Sequence, residues 1–254
     1  MELDKTNCSI IISSFDGFSD VWEPFFKLFF RYWPNCPFPI YLITNYKQYQ
    51  NPKVVSLKLG EDCGWADNLK KALDRINTKY VLYLQEDYLL NKPVDNNRIK
   101  ELLGLIDKYQ ASHLRLWPTK ITANRYFSPE LVELLPGAKY RLSTQAAFWN
   151  KDDLREFLRP GESGWKFELE NDNAKRKDKL FLSVRQNEPA IHYFATAIKK
   201  GIWFYDAVKL CEREGVAIDK KIRPIESFGH YLKRKIIAIP FLGRVFDFII
   251  RHLK

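Results

Sequence analysis

Apolar residues follow two rhythms along the chain. Cys8–Ser13, Ile40–Thr44 and Tyr80–Leu84 are short, nearly unbroken apolar runs. Such runs mark strands buried on both faces, as in a sheet covered by helices. Between them apolar residues recur at helical spacing. Val21–Tyr32 is dense in Phe and Trp and stops before Pro34, and Leu69, Ala72, Leu73 and Ile76 form a second helical stripe. Val54–Leu57 adds a short strand. The first third therefore predicts strand, helix, strand, strand, helix, strand, which is one half of a nucleotide-binding α/β sheet. Ser19 or Asp20 is placed to cap the first helix, and Asp67 to cap the second.

Beyond Tyr88 the pattern weakens. Ile99, Leu102, Leu103 and Ile106 mark a further helix, and Ser112–Trp117 alternates like a half-buried strand. Residues 118–140 contain Pro129, Pro136 and Gly137 and read as loops with a short helix that covers a site. Leu142–Trp149 returns to strand character, and Asp152–Leu158 is a short helix ended by Pro160–Gly161. Strands near Phe181–Val184 and Ala190–Tyr193 precede a helix over Tyr205–Glu214. From His230 the character changes again, with six Lys or Arg, one acidic residue and large apolar residues between them. Basic residues flanking bulky apolar ones suit a segment lying in an anionic membrane surface. The plainer alternatives are a helix packed back on the domain and a dimer contact.

Length and composition narrow the class. The chain has 254 residues, 46% hydrophobic and 28% charged, which suits one large folded domain. Cys8, Cys36, Cys63 and Cys211 are scattered without a CxxC pair, as in reduced cytosolic proteins. The apolar stretch at Ile10–Ile12 is too short for a signal peptide, and no run has the length of a membrane span. These features predict a cytoplasmic protein, held peripherally on the cytoplasmic face of the membrane by its basic end. A net charge of +10 calls for an anionic partner. Nucleic acid is not expected, because the basic residues are dispersed or gathered in the tail and no recognition motif occurs. The 15% aromatic content suits a groove that stacks rings, or simply a core.

The chemistry centres on Glu86 and Asp87. They follow the run Tyr80–Leu84, where a buried strand of an open α/β sheet ends and ligands bind. Neither GxGxxG nor GxxxxGK[ST] occurs, so a bound diphosphate needs another source of positive charge. A divalent cation, Mn²⁺ or Mg²⁺, held by carboxylate oxygens is the obvious one. Asp87 is then the direct ligand, Glu86 acts through water, and His192 is a third ligand. Against this stand a solvated acidic turn and a structural histidine; His113, in an alternating strand, reads as structural. Glu168 and Glu170 follow a Gly/Trp-containing segment and are candidate general bases, with Trp165 and Phe167 as an apolar wall for a sugar ring. The alternative is a solvated charged loop. Asp16, in the turn after the first strand with Ser14, is placed to meet a base or ribose. Trp65 flanks the helix before the central strand.

Four pieces together resemble the GT-A family of bacterial glycosyltransferases, especially those that build surface polysaccharides such as lipopolysaccharide or capsule. They are Ile11–Asp16, Tyr80–Tyr88, Leu142–Trp149 and Gly161–Glu168, and they span roughly the first two thirds of the chain. The resemblance implies a Rossmann-type, mostly parallel sheet flanked by helices, with a basic amphipathic C-terminal extension. It implies one catalytic domain over residues 1–229, with a donor half to about 117 and an acceptor half from 118, followed by a tail over 230–254. Family members carry a DxD motif where this chain reads Gln85–Glu86–Asp87. Asp87 takes the metal-binding place of the last Asp, and Gln85 replaces the first. By the same resemblance Glu168 is the base of an inverting transfer. Ser14, Asp16, Trp65, Glu86 and Asp87 meet a nucleotide-sugar donor, His192 joins the metal, and Trp165 and Glu170 meet a saccharide or lipid-linked acceptor. A sugar-phosphate nucleotidylyltransferase is the main alternative, although Ser13–Phe18 lacks the Gly/Arg/Lys-rich phosphate loop of that class. A non-catalytic α/β protein binding nucleic acid or membrane is another.

Overall fold

A computed structural model describes residues 7–118 and 123–238. The strands of the first half are β1 (Cys8–Ser13), β2 (Ile40–Thr44), β3 (Val54–Lys58), β4 (Tyr80–Gln85) and β5 (Leu89–Leu90). Its helices are α1 (Ser19–Tyr32), α2 (Trp65–Leu73) and α3 (Asn96–Lys108). Then come β6 (His113–Arg115), β7 (Asn124–Tyr126), β8 (Leu131–Leu134), β9 (Ala147–Asn150), α4 (Lys151–Phe157) and α5 (Gly164–Leu169). The chain continues through β10 (Phe181–Val184), β11 (Tyr193–Phe194), β12 (Ile198–Lys199), β13 (Ile202–Trp203), α6 (Tyr205–Arg213) and α7 (Phe228–Ala238).

One mixed sheet organises these elements in the order β3-β2-β1-β4-β9-β6-β10-β8-β7. The four strands from β3 to β4 are parallel, while β9 runs against both β4 and β6. Ser13 lies opposite Gln85, so β1 and β4 end level at the carboxyl edge. Because side chains alternate across a strand, each strand feeds two cores. Ile10, Ile12, Leu82 and Leu84 pack with Phe25, Phe29, Ile99 and Leu102 of α1 and α3. Ile11, Val81 and Tyr83 pack with Leu69, Leu73, Leu154 and Phe167 of α2, α4 and α5. This is the mostly parallel, helix-covered fold that the apolar runs predict.

Several local expectations give way. Neither Ser19 nor Asp20 caps α1, which starts at Ser19 without a side-chain cap. Stronger partners engage both: the Lys47 ammonium donates to Ser19 Oγ at 2.7 Å, and Arg223 forks onto Asp20 at 2.9 and 3.0 Å. Asp67 does not cap α2; it accepts the Gly161 amide at 2.7 Å and so ties α2 to the segment before α5. Within residues 118–140 the described part forms β8 and the edge strand β7, not a short helix. Strand pairing in 142–149 begins only at Ala147, and 161–171 holds a helix, with Ser163 Oγ accepting the Lys166 amide at its start. The strand expected over Ala190–Tyr193 is β11, a short partner of β5.

The start of the basic tail is α7. Arg234 pairs with Glu226 at 2.8 Å, Lys235 pairs with Asp206 at 2.9 Å, and Tyr231 packs on Tyr205 of α6. Phe228, Leu232 and Ile237 remain exposed. The rest of the tail, 239–254, lies outside the described residues. No described helix is long and apolar enough to cross a membrane.

Candidate active site

Two hollows open at the carboxyl edge of the sheet and share Trp65 and Gln85 as a common wall. The larger is a cleft of about 730 Å³ lined by residues from β4, α5, the β12–β13 hairpin and α7. Asp87, Trp165, Glu168, Lys199, Lys200 and Arg234 lie in its wall. The smaller, about 270 Å³, lies against the ends of β1 and β4, with Ser14, Phe15, Phe18, Asp62, Asn68 and Glu86 in its wall. A concave site with aromatic walls and a few convergent polar groups is the usual form of a small-molecule site.

Glu168 projects from α5 into the cleft, half-buried. Its Oε1 accepts from the Thr144 amide at 2.6 Å, Thr144 Oγ1 at 2.9 Å and Ser143 Oγ at 3.2 Å. Three donors on one oxygen fix the carboxylate's direction. Behind the cleft wall, Arg115 donates to the Tyr140 carbonyl. Burial pulls its guanidinium down to about 10, and the negative charge of Glu168 opposes that pull. A buried cation therefore backs the Glu168 carboxylate.

The Ser143–Gln145 segment is braced in turn. Tyr88 OH donates to the Thr144 carbonyl at 2.9 Å, and Tyr193 OH donates to Gln145 Oε1 at 2.8 Å while accepting the Ala146 amide at 3.1 Å. The two tyrosine rings stack with centroids 4.8 Å apart.

Asp87 is held differently. Only 8% exposed, its Oδ2 accepts the Ile198 amide at 3.5 Å and its carbonyl accepts the Ala197 amide at 3.1 Å; buried Oδ1 has no partner. Burial pushes the Asp87 carboxyl up to about 7, against the pull of the Ile198 amide. Burial, and then the Asp87 charge, raise Glu86 well above the usual carboxylate range.

The remaining sequence-predicted residues divide between the two hollows and the surface around them. Trp65 donates from Nε1 to Tyr83 OH at 2.9 Å, and Ser14 Oγ accepts from Trp22 Nε1 at 2.8 Å on the wall of the smaller hollow. Trp165 is 67% exposed at the mouth of the cleft. Asp16 lines neither hollow. It accepts the Asn45, Tyr46 and Lys47 amides at 2.9–3.1 Å, clamping the turn after β1 to the end of β2. Burial raises its carboxyl, but those three amides outweigh burial and hold it below the ordinary value. Glu170 is exposed at the end of α5 and is not part of the cleft wall. His192 is absent from that wall too; its ring meets Trp117 edge-on at 5.8 Å, and burial, then Lys92, lower its pKa.

These positions do not assemble a metal site. Among the described residues no group of three or more His, Cys, Asp and Glu side chains is arranged to hold an ion. Hard divalent cations take several oxygen ligands. Here Asp87 is a single carboxylate whose Oδ2 accepts the Ile198 amide, Glu86 lines the smaller hollow, and Gln85 stands where a second aspartate would. The donor set does not fit a resident Mn²⁺ or Mg²⁺, and the chemistry below uses none.

Thr144, Gln145, Lys199 and Lys200 also line the cleft, and the sequence alone leaves them without a role. The polar triplet Ser143–Gln145, interrupting an apolar stretch, and Lys199–Lys200–Gly201, a turn signal between apolar pairs, are the traces that point to them.

No family model matches the sequence, and no curated protein matches it. Among solved structures the chain is similar in fold to S. aureus TarS residues 1–349, at a TM-score of 0.50 and 14% identity, over 75% of this chain and 60% of that one. The same TarS fragment in complex with UDP-GlcNAc aligns at 0.45 with 14% identity, over 70% and 58%. Bifunctional IspDF from Campylobacter jejuni aligns at 0.40 with 14% identity, over 68% and 52%. The likeness is one of fold, that of the GT-A class, and this chain spans about 60% of the TarS fragment's length.

Proposed function

We propose that the protein is a glycosyltransferase that moves a sugar from a nucleotide-sugar donor to a hydroxyl of a glycan or lipid-linked acceptor, with inversion. The observation that carries this reading is Glu168, oriented by three donors in a cleft that shares a wall with an aromatic-lined hollow at the ends of β1 and β4. In this reading the nucleoside enters the smaller hollow against Phe15, Phe18 and Trp65, and the sugar lies in the larger cleft. The acceptor ring rests on Trp165, whose exposed face suits a sugar. The half to residue 117 then furnishes the walls around the nucleoside, and the half from 118 furnishes the base and the wall for the acceptor.

Glu168 takes the proton of the acceptor hydroxyl. The hydroxyl oxygen forms a bond to the anomeric carbon, the bond from that carbon to the diphosphate oxygen breaks, and the nucleoside diphosphate leaves with the electron pair. Attack from the face opposite the leaving group inverts the anomeric centre. A lipid-linked acceptor would place α7 and the basic tail against an anionic membrane, where Phe228, Leu232 and Ile237 are free to insert. Glu168→Gln keeps an acceptor oxygen for Thr144 but removes the base. The variant is expected to bind donor and lose transfer. Transfer at the wild-type rate would overturn the assignment. Loss of liposome binding on removing residues from Lys233 onward tests the membrane contact.

A further inference from the structure

We propose that the charge of the donor's diphosphate is taken up by Lys199 and Lys200, carried into the cleft on a hairpin that Asp87 anchors. This inference rests on the transferase reading and specifies how its leaving group is held. Where the central strand ends, the sequence resembles a metal motif, yet Asp87 is the one carboxylate there in the cleft wall, and its residue also holds a hairpin. Asp87 accepts the Ala197 amide through its carbonyl and the Ile198 amide through Oδ2, which fixes the entry to the β12–β13 hairpin. The exit is fixed by the Phe204 amide, which donates to the Ala197 carbonyl at 2.8 Å.

The tip between these anchors is Lys199–Lys200–Gly201, with Lys200 at φ +51° and Gly201 at φ +77°. This left-handed pair turns the chain tightly and keeps both lysines at the cleft wall. Both are exposed, and among the described residues neither has an ion-pair partner. The third cation of the cleft, Arg234, is different: its charge is already engaged by Glu226 and Asp206. The cleft wall thus carries two lysines without ion-pair partners, beside the single carboxylate of Asp87. Ammonium groups are strong donors to phosphate oxygens, and held opposite a leaving diphosphate they offset the charge that develops as the sugar–oxygen bond breaks.

The test is calorimetric titration of the full chain with UDP, GDP, CDP and dTDP, each in EDTA and again with Mn²⁺. At least one nucleoside diphosphate is expected to bind in EDTA, with Mn²⁺ changing the affinity less than about threefold and added salt weakening it. Lys199→Ala/Lys200→Ala is expected to weaken binding by about tenfold or more, and Lys199→Arg/Lys200→Arg to retain it. Lys177→Ala/Lys221→Ala, at exposed positions that line neither hollow, controls for net charge and leaves the affinity as it was. Binding that requires Mn²⁺, or an alanine pair that binds as tightly as wild type, overturns this inference and leaves the transferase reading standing. If no nucleoside diphosphate binds under either condition, the transferase reading itself fails and this inference with it.

Discussion

The two carboxylates on the wall of the cleft belong to different regions and are held in opposite ways. Asp87, at the end of β4, is buried; it accepts backbone amides of a neighbouring hairpin and leaves one oxygen buried without a partner. Glu168, on α5, is half-buried, with one oxygen fixed by Ser143 and Thr144 and a buried arginine behind the wall. The first arrangement joins pieces of chain. The second aims a carboxylate into a cleft. An acid at the mouth of a central strand is therefore not by position alone a ligand or a base; what its oxygens already accept decides which task is open to it.

Substitutions at the two edges can separate these tasks. Glu168→Gln is expected to lower kcat by about 10²–10⁴-fold, the usual contribution of a positioned base, with a much smaller loss of thermal stability from removing the charge beside buried Arg115. An equal loss of stability would move Glu168 into the structural class with Asp87. Trp165→Ala removes an exposed face and is expected to lower kcat/KM for acceptor by about tenfold, leaving donor hydrolysis intact. Parallel loss of both activities would place Trp165 on the donor instead.

At Asp87 the signature is a pH dependence of stability. Its carboxyl is raised from 3.8 to about 7 in the fold, so the folded state binds the extra proton between those values. That contribution is fully present below the unfolded value and is lost as pH rises through the folded one. Asp87→Asn is therefore expected to gain in melting temperature relative to wild type on going from about pH 5 to about pH 8. A constant difference across that range would contradict the burial assigned to Asp87. The smallest effect is expected from Tyr193→Phe, which removes a hydroxyl bonded to Gln145 and Ala146 and should cost about 1–3 kcal/mol in denaturant unfolding.

The same contrast explains which parts of the molecule were legible in the sequence. β1, β2 and β4 are sandwiched between helices, so both faces must be apolar and the strands stand out as unbroken runs. Their carboxyl edge, and with it the position of Glu86 and Asp87, follows from that pattern. The other wall is built from pieces too short to have a period. β11, β12 and β13 are two residues each, and their placement depends on β5 and Asp87, far away in the chain. Ser143–Gln145 reads as part of a strand because Leu142 and Ala146 flank it, yet the tyrosines at 88 and 193 hold it as a loop. Asp16 and Asp67 have the sequence positions of a ligand contact and a cap. Each instead accepts backbone amides from a distant segment, which local spacing does not encode.

The central claim is that this cleft transfers a sugar from a nucleotide through Glu168. The most direct measurement incubates wild type and Glu168→Gln with UDP-, GDP-, CDP- and dTDP-sugars, and reads both thermal shift and nucleotide release. At least one donor is expected to raise the melting temperature of both proteins and to release its nucleotide only with wild type. No response to any donor, or equal release by the two proteins, would contradict it.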